Sequence, residues 1–194
     1  MIYIINYGAG NIGSITNALE YLGYEYTITE NPDMIKEADK LILPGVGAFG
    51  EIMDNLKKQK LIEPIKKFID SGKPFFGICL GLQVLFERSE ESPGVKGLGL
   101  FEGEVVKFRQ GKVPQIGWNK IRPANQNEFF REGFVYFVNS FYIVPKNTDI
   151  IATKTDYYLE FTSAVQCKNI TATQFHPEKS GEFGLDILRR WLEC

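Results

Sequence analysis

Three short stretches of this sequence carry groups whose type and spacing could do chemistry together. In Gly77-Ile78-Cys79-Leu80-Gly81 a thiol stands where a buried strand meets a helix, with glycine two positions to either side. That is the form of a nucleophile elbow. The glycines have a physical reason, because such a turn brings neighbouring backbone close to a side chain held in a strained conformation, and a Cβ at either position would obstruct it. At the head of a helix the sulfur also meets unpaired amide N–H groups and the positive end of the dipole, which favour the thiolate. A lone cysteine in an apolar run is otherwise inert core; the glycine bracket is what sets Cys79 apart.

A cysteine nucleophile needs a base, and the base needs a group to orient it. The chain has one histidine, His176, in Gln174-Phe175-His176-Pro177-Glu178. Glu178 is close enough to orient the ring, and Pro177 restricts the backbone between them. A lone histidine is by default a satisfied structural residue, and spacing alone does not bring His176 to Cys79. The third stretch is Pro44-Gly45-Val46-Gly47, a strand followed at once by glycines. It reads either as a plain turn or as an oxyanion hole, in which N–H groups of Gly45, Val46 and Gly47, with the amide of Leu80, would hold the negative oxygen of a tetrahedral intermediate. Mobile glycine backbone can also rest with its N–H turned away until an adjoining surface biases it.

The elements that must position these groups follow from periodicity. Short apolar runs alternate with helical spacing through the first half, the pattern of parallel strands joined by crossover helices. Strands are predicted at Ile2 to Asn6, Glu25 to Thr29, Lys40 to Leu43 and Pro74 to Ile78. Helices are predicted from Ile12, capped by Asn11 and stopped at Gly23, over Met34 to Ala38, and around Leu61 to Ile69 before Gly72. Beyond Glu91 the segments Glu104 to Phe108, Phe134 to Val138, Ile150 to Thr155, Thr162 to Val165 and Ile170 to Phe175 read as mixed or antiparallel strands. A closing helix spans Glu182 to Leu192, and Ser92-Pro93-Gly94 reads as a surface loop. With 194 residues, 44% of them hydrophobic, one core is expected. The predicted fold is a single three-layer α/β domain over residues 1–194, with a mixed central sheet and helices on both faces.

Composition excludes several classes. Twenty-two basic residues stand against 24 acidic ones, without a run of five or six like charges, which argues against a nucleic-acid tail or a membrane patch. Three cysteines, Cys79, Cys167 and Cys194, without C-x-x-C spacing, argue against a disulfide framework and a zinc site. Neither a metal nor a cofactor is expected. Lys40 to Val46 and Lys73 to Leu85 are too short and interrupted to cross a bilayer. Met1 leads directly into Ile2-Tyr3-Ile4-Ile5 without the charged region of a secretory signal, so a cytoplasmic protein is expected.

The order PGVG, GICLGLQ, HPE resembles the class I glutamine amidotransferases. The likeness extends through Tyr7-Gly8-Ala9-Gly10-Asn11, PGVGAFG at 44–50, FERSEESPGVKG at 86–97, PQIGWN at 114–119 and HPEKS at 176–180. It implies a Cys79, His176, Glu178 triad that hydrolyses L-glutamine. GWN together with HPEKS is similar to the branch that forms a heterodimer with a (β/α)8 cyclase subunit making imidazole glycerol phosphate. The resemblance further implies that Gln83 contacts the substrate and that Glu91 holds its α-ammonium by a charge-assisted hydrogen bond. It places the substrate carboxylate on backbone groups at Asn139, Ser140 and Phe141, and the partner against Asn11, Trp118, Tyr136 and Lys179. One departure is Asn139, where many relatives have histidine. Three rivals stand: a paralogous glutaminase feeding another acceptor, as in sugar amidination; a cysteine hydrolase or peptidase, against which Gln83 and Glu91 argue; and a non-catalytic binding module, against which the intact triad positions argue.

Cys79→Ala is expected to abolish ammonia release from glutamine, by at least ~10³-fold. Cys167→Ala and Cys194→Ala should leave release nearly intact. More than a few per cent of activity in Cys79→Ala would remove the elbow assignment.

Overall fold

Successive residues of an extended strand face opposite ways, so a strand apolar at every position must be covered on both faces. The computed structural model, which describes residues 1–8 and 11–194, shows this in β1 (Ile2–Ile5). Ile2 and Ile4 pack with Ile15, Leu19, Leu188 and Trp191 from α1 (Ile12–Tyr21) and α6 (Gly181–Glu193). Tyr3 and Ile5 pack instead with Ile52, Leu56, Ile65 and Phe68 from α3 (Phe49–Lys58) and α4 (Ile62–Asp70). Helices on both faces of one sheet make three layers. Ala9 and Gly10 of the YGAGN stretch lie outside the described residues.

The sheet begins with five parallel strands in the order β2 (Tyr26–Thr29), β1, β3 (Lys40–Gly45), β4 (Phe75–Cys79) and β12 (Ile170–Thr173). It continues antiparallel through β11 (Glu160–Cys167), β10 (Ile151–Asp156), β7 (Gln115–Pro123) and β8 (Gly133–Asn139). β5 (Phe86–Ser89), β6 (Phe101–Lys107) and β9 (Phe141–Pro145) form a side sheet that joins β11 through β9. Among the described residues, one-turn helices α2 (Pro32–Ile35) and α5 (Leu80–Gln83) complete the set, with 3₁₀ turns at Thr148–Ile150 and Pro177–Lys179.

Local chemistry explains the boundaries. Asn11 caps α1 as expected, its Oδ1 accepting from Ser14 N–H at 3.3 Å. Gly23 and Gly72, past the ends of α1 and α4, take positive φ as helix-stopping glycines do. The short helix predicted from Met34 starts earlier, because Asn31 caps it and Pro32 opens its first turn. The turn at Ser92-Pro93-Gly94 leaves Pro93 and Gly94 exposed.

Four elements were not anticipated. α3 carries Phe49, Ile52, Met53 and Leu56 at helical spacing, but the glycines from Gly45 to Gly50 obscure its start. β7 turns Ile116 and Trp118 outward while Gln115 is buried, so its apolar residues do not mark the buried face. β9 follows β8 after a single residue, and β5 is only four residues long.

Phe175, fully buried just beyond β12, meets the rings of Phe137 and Phe130 edge to face with centroids 5.8 and 6.4 Å away. Phe175→Ala should cost about 3–5 kcal/mol, seen as a lower urea midpoint at unchanged slope. A midpoint within error of the parent would show that this cluster does not anchor the segment leading to His176.

Candidate active site

β3 and β4 are neighbours in register, Gly45 opposite Cys79. Where they end the backbones nearly touch. A Cβ on Gly81 would lie 2.0 Å from the Leu43 carbonyl oxygen, one on Gly77 2.7 Å from the Gly81 carbonyl oxygen, and one on Gly45 2.6 Å from the Leu80 Cβ. Cys79 itself takes φ 54° and ψ −105°, a strained conformation for any residue with a side chain. The glycine bracket is therefore a requirement of close approach. The helix that follows is a single turn, Leu80–Gln83, so a full helix dipole, as the sequence suggested, does not act on the sulfur. Local N–H groups and neighbouring side chains take that part.

β12 lies parallel to β4, with Thr173 opposite Ile78, so the chain leaving β12 runs beside the chain leaving β4. That register brings His176 to Cys79. His176 N–H donates to the Tyr136 carbonyl at 2.9 Å, and Ser180 Oγ donates to the His176 carbonyl at 2.6 Å while accepting from Tyr136 N–H at 2.9 Å. The ring Nδ1 and Glu178 Oε1 are 2.7 Å apart, both side chains almost wholly buried. Nε2 has no hydrogen bond of good geometry and is left for the sulfur. Burial pushes the imidazole toward its neutral form. The Cys79 sulfur and the Glu178 carboxylate beside it outweigh burial and raise the His176 pKa to about 10.

Cys79 and His176 open on a cavity of about 420 Å³. Val46, Gly47 and Leu80 line it beside the sulfur, whereas Gly45 is not part of the lining and serves the strand contact behind. Gln83, Glu91, Asn139, Ser140 and Phe141 all line the same cavity, as does Lys179. Gln83 Nε2 donates to the Phe141 carbonyl at 3.2 Å, and Glu91 Oε2 accepts from Phe49 N–H at 2.7 Å. Asn139 folds its amide back on its own turn, donating to the Phe141 carbonyl at 3.0 Å. Of the residues predicted to face a partner, Trp118 is 57% exposed with its ring edge-on to Tyr136 at 6.3 Å. Asn11 is exposed at the start of α1, which packs against the Pro177–Lys179 turn.

Gln174 was given no role from sequence. It is fully buried, and its Nε2 donates to Cys79 Sγ at 3.5 Å. A signal existed, since residues two apart in extended chain share a face, and Gln174 is two before His176.

A strained thiol at a strand end, a buried imidazole–carboxylate pair beside it and glycine backbone across the cavity make a site able to carry acyl transfer through a thioester. The family model for class I glutamine amidotransferases matches residues 3–193, and the chain belongs to that family. It is 48% identical to the protein of Methanothermobacter thermautotrophicus named imidazole glycerol phosphate synthase subunit HisH, over 100% of this chain and 98% of that one. The Pyrococcus furiosus protein of the same name is 48% identical over 98% of this chain and 97% of its own. An Arabidopsis thaliana protein named imidazole glycerol phosphate synthase hisHF, chloroplastic, is 44% identical over 99% of this chain, which spans 34% of that longer one. In fold the chain is similar to a crystal structure of a glutamine amidotransferase at TM-score 0.81 and 18% identity, covering 100% and 98% of the two chains.

Because Glu178 helps to raise the His176 pKa, the protonated ring persists above neutrality and is lost as pH rises through that raised value. Glu178→Gln removes one of the raising influences. The alkaline limb of kcat/KM for glutamate production should therefore move to lower pH by about a unit or more. An unmoved limb at normal folding would mean that Glu178 does not govern the ring.

Proposed function

We infer that this chain is the glutaminase subunit of an imidazole glycerol phosphate synthase, hydrolysing L-glutamine and passing ammonia to a (β/α)8 cyclase subunit in histidine biosynthesis. The observation that carries this reading is near-50% identity over the whole chain to proteins named as that subunit, joined to the Cys79, His176 and Glu178 geometry. The cyclase uses the ammonia to convert a phosphoribulosyl-formimino aminoimidazole carboxamide nucleotide into imidazole glycerol phosphate and aminoimidazole carboxamide ribotide. The setting is the cytoplasm, and among the described residues no helix is long and apolar enough to cross a membrane.

The reaction opens with Cys79 thiolate attacking the γ-amide carbon of glutamine. Leu80 N–H and the Val46–Gly47 backbone hold the oxyanion, and the His176 imidazolium protonates departing ammonia. The balance of influences on His176 then changes. Once the sulfur is acylated it no longer carries the charge that favours the imidazolium, while burial still favours the neutral ring. A neutral ring is the form that can take a proton from the water that hydrolyses the thioester, and Glu178 keeps it oriented through both steps. Phe49 N–H fixes one oxygen of Glu91, leaving the other for the substrate ammonium. Gln83 and the backbone of Asn139 to Phe141 hold the rest of the amino acid.

The docking face is the outer side of the β7–β8 hairpin. Cross-strand pairs Ile116 with Val138, Trp118 with Tyr136 and Lys120 with Phe134 share that side. Ile116, Trp118 and Phe134 are each more than half exposed, whereas Val138 lines the cavity. One apolar stripe thus runs from the site to the surface, with Lys179 at the cavity and Asn11 nearby. The Arabidopsis relative carries the equivalent unit within a longer chain that bears the synthase name, in keeping with a subunit built to work against a second one.

Glutamate production is the assay: the subunit alone, then with cyclase, then with cyclase and its nucleotide. A coupling free energy of about 1–3 kcal/mol predicts a rise of roughly 5- to 150-fold. Trp118→Ala should weaken the complex by about 2 kcal/mol, or some thirtyfold in Kd. Full activity alone, unaltered by the cyclase, would remove the synthase assignment and leave the glutaminase one standing.

A further inference from the structure

We propose that Gln174 is a positioning residue that holds the Cys79 sulfur and ties it to the substrate-binding turn at Phe141. The proposal rests on the glutaminase reading of the same site and assigns a group that the triad chemistry does not use.

The backbone of Gln174 is pinned first. Its N–H donates to the Ser163 carbonyl at 2.8 Å, so it extends the β11–β12 pairing by one residue. Its side chain, with no solvent exposure, meets Gln83 and Cys79, while Phe175 packs into the aromatic core. The orientation of the amide follows from a neighbour that has no choice. The Phe141 carbonyl can only accept, so the Gln83 group 3.2 Å away is its NH₂. The same NH₂ lies 3.0 Å from the Gln174 side chain, which must present its oxygen there. Gln174 is left with its own NH₂ toward the sulfur, 3.5 Å away.

The result is a buried relay from the Phe141 carbonyl through Gln83 and Gln174 to Cys79. Asn139 braces the same carbonyl at 3.0 Å. Two consequences follow. An N–H aimed at sulfur is a stronger partner for a thiolate than for a thiol, so it favours the attacking form and limits its rotation. A displacement of the Asn139–Phe141 turn would also be felt at the sulfur through three hydrogen bonds, because a fully buried amide has no water to take their place.

The test uses Gln174→Glu, which keeps the shape and the acceptor for Gln83 but sets a carboxylate against the sulfur, and Gln174→Met, which fills the space without a donor. Alkylation of Cys79 by iodoacetamide is followed from pH 6 to 10 beside kcat and KM for glutamine. Loss of a hydrogen bond to a charged group predicts an alkylation profile displaced to higher pH, further in Gln174→Glu than in Gln174→Met, and kcat down about tenfold or more with KM within about threefold. Folded variants with the parent alkylation profile would overturn the proposal, as would a change confined to KM. If neither variant folds, the wild-type protein supplies the answer: the Gln174 side-chain amide resonance in a ¹⁵N spectrum should move when Cys79 is alkylated, and an unmoved resonance overturns it. Alkylation needs no turnover. A displaced profile in a chain that releases no ammonia would sink the glutaminase reading and leave Gln174 as the sulfur's partner.

Discussion

The site depends on how closely two parallel strands approach where they end. Cys79 can take its strained backbone only because β3 and the turn after β4 are in backbone contact, and that contact leaves no room for a Cβ at Gly45, Gly77 or Gly81. The strain is held by the sheet: β4 lies between β3 and β12, hydrogen-bonded to both and buried on both faces. A loop without such neighbours would relax, and the thiol would turn away from the cavity.

The same strand order explains the electrostatics. Setting β12 beside β4 puts a histidine and a glutamate, both nearly solvent-free, next to the thiol. Burial alone favours the neutral imidazole, and the Cys79 sulfur and Glu178 carboxylate beside it favour the charged one. Its protonation state therefore follows the state of the sulfur. In the proposed reaction this would let one ring act as acid in one half and as base in the other.

The β7–β8 hairpin connects that interior to the outside. Its inner side buries Val135, Phe137 and Ile121, while its outer side leaves Ile116, Trp118 and Phe134 in contact with solvent. Large apolar groups grouped on an open face lower their free energy when a second surface covers them. The backbone of the same hairpin accepts from His176 at Tyr136, so a surface pressed on the outer side is one hydrogen bond from His176.

Much of this was legible in the chain itself. Alternating apolar and amphipathic segments specified a three-layer α/β fold, because the two periodicities are properties of local backbone geometry. The thiol between glycines, the single histidine two residues before a glutamate, and the glycine loop named the chemistry by residue type. What the sequence left open was which groups meet. The encounter of His176 with Cys79 is decided by β12 lying next to β4, a pairing between distant segments that spacing does not encode. Gly45 proved to be a packing requirement as well, and the helix behind Cys79 is a single turn; both depend on what approaches from another strand. Gln174 stayed hidden because its work lies in two side-chain hydrogen bonds to residues far away in the chain, and only tertiary structure decides such contacts.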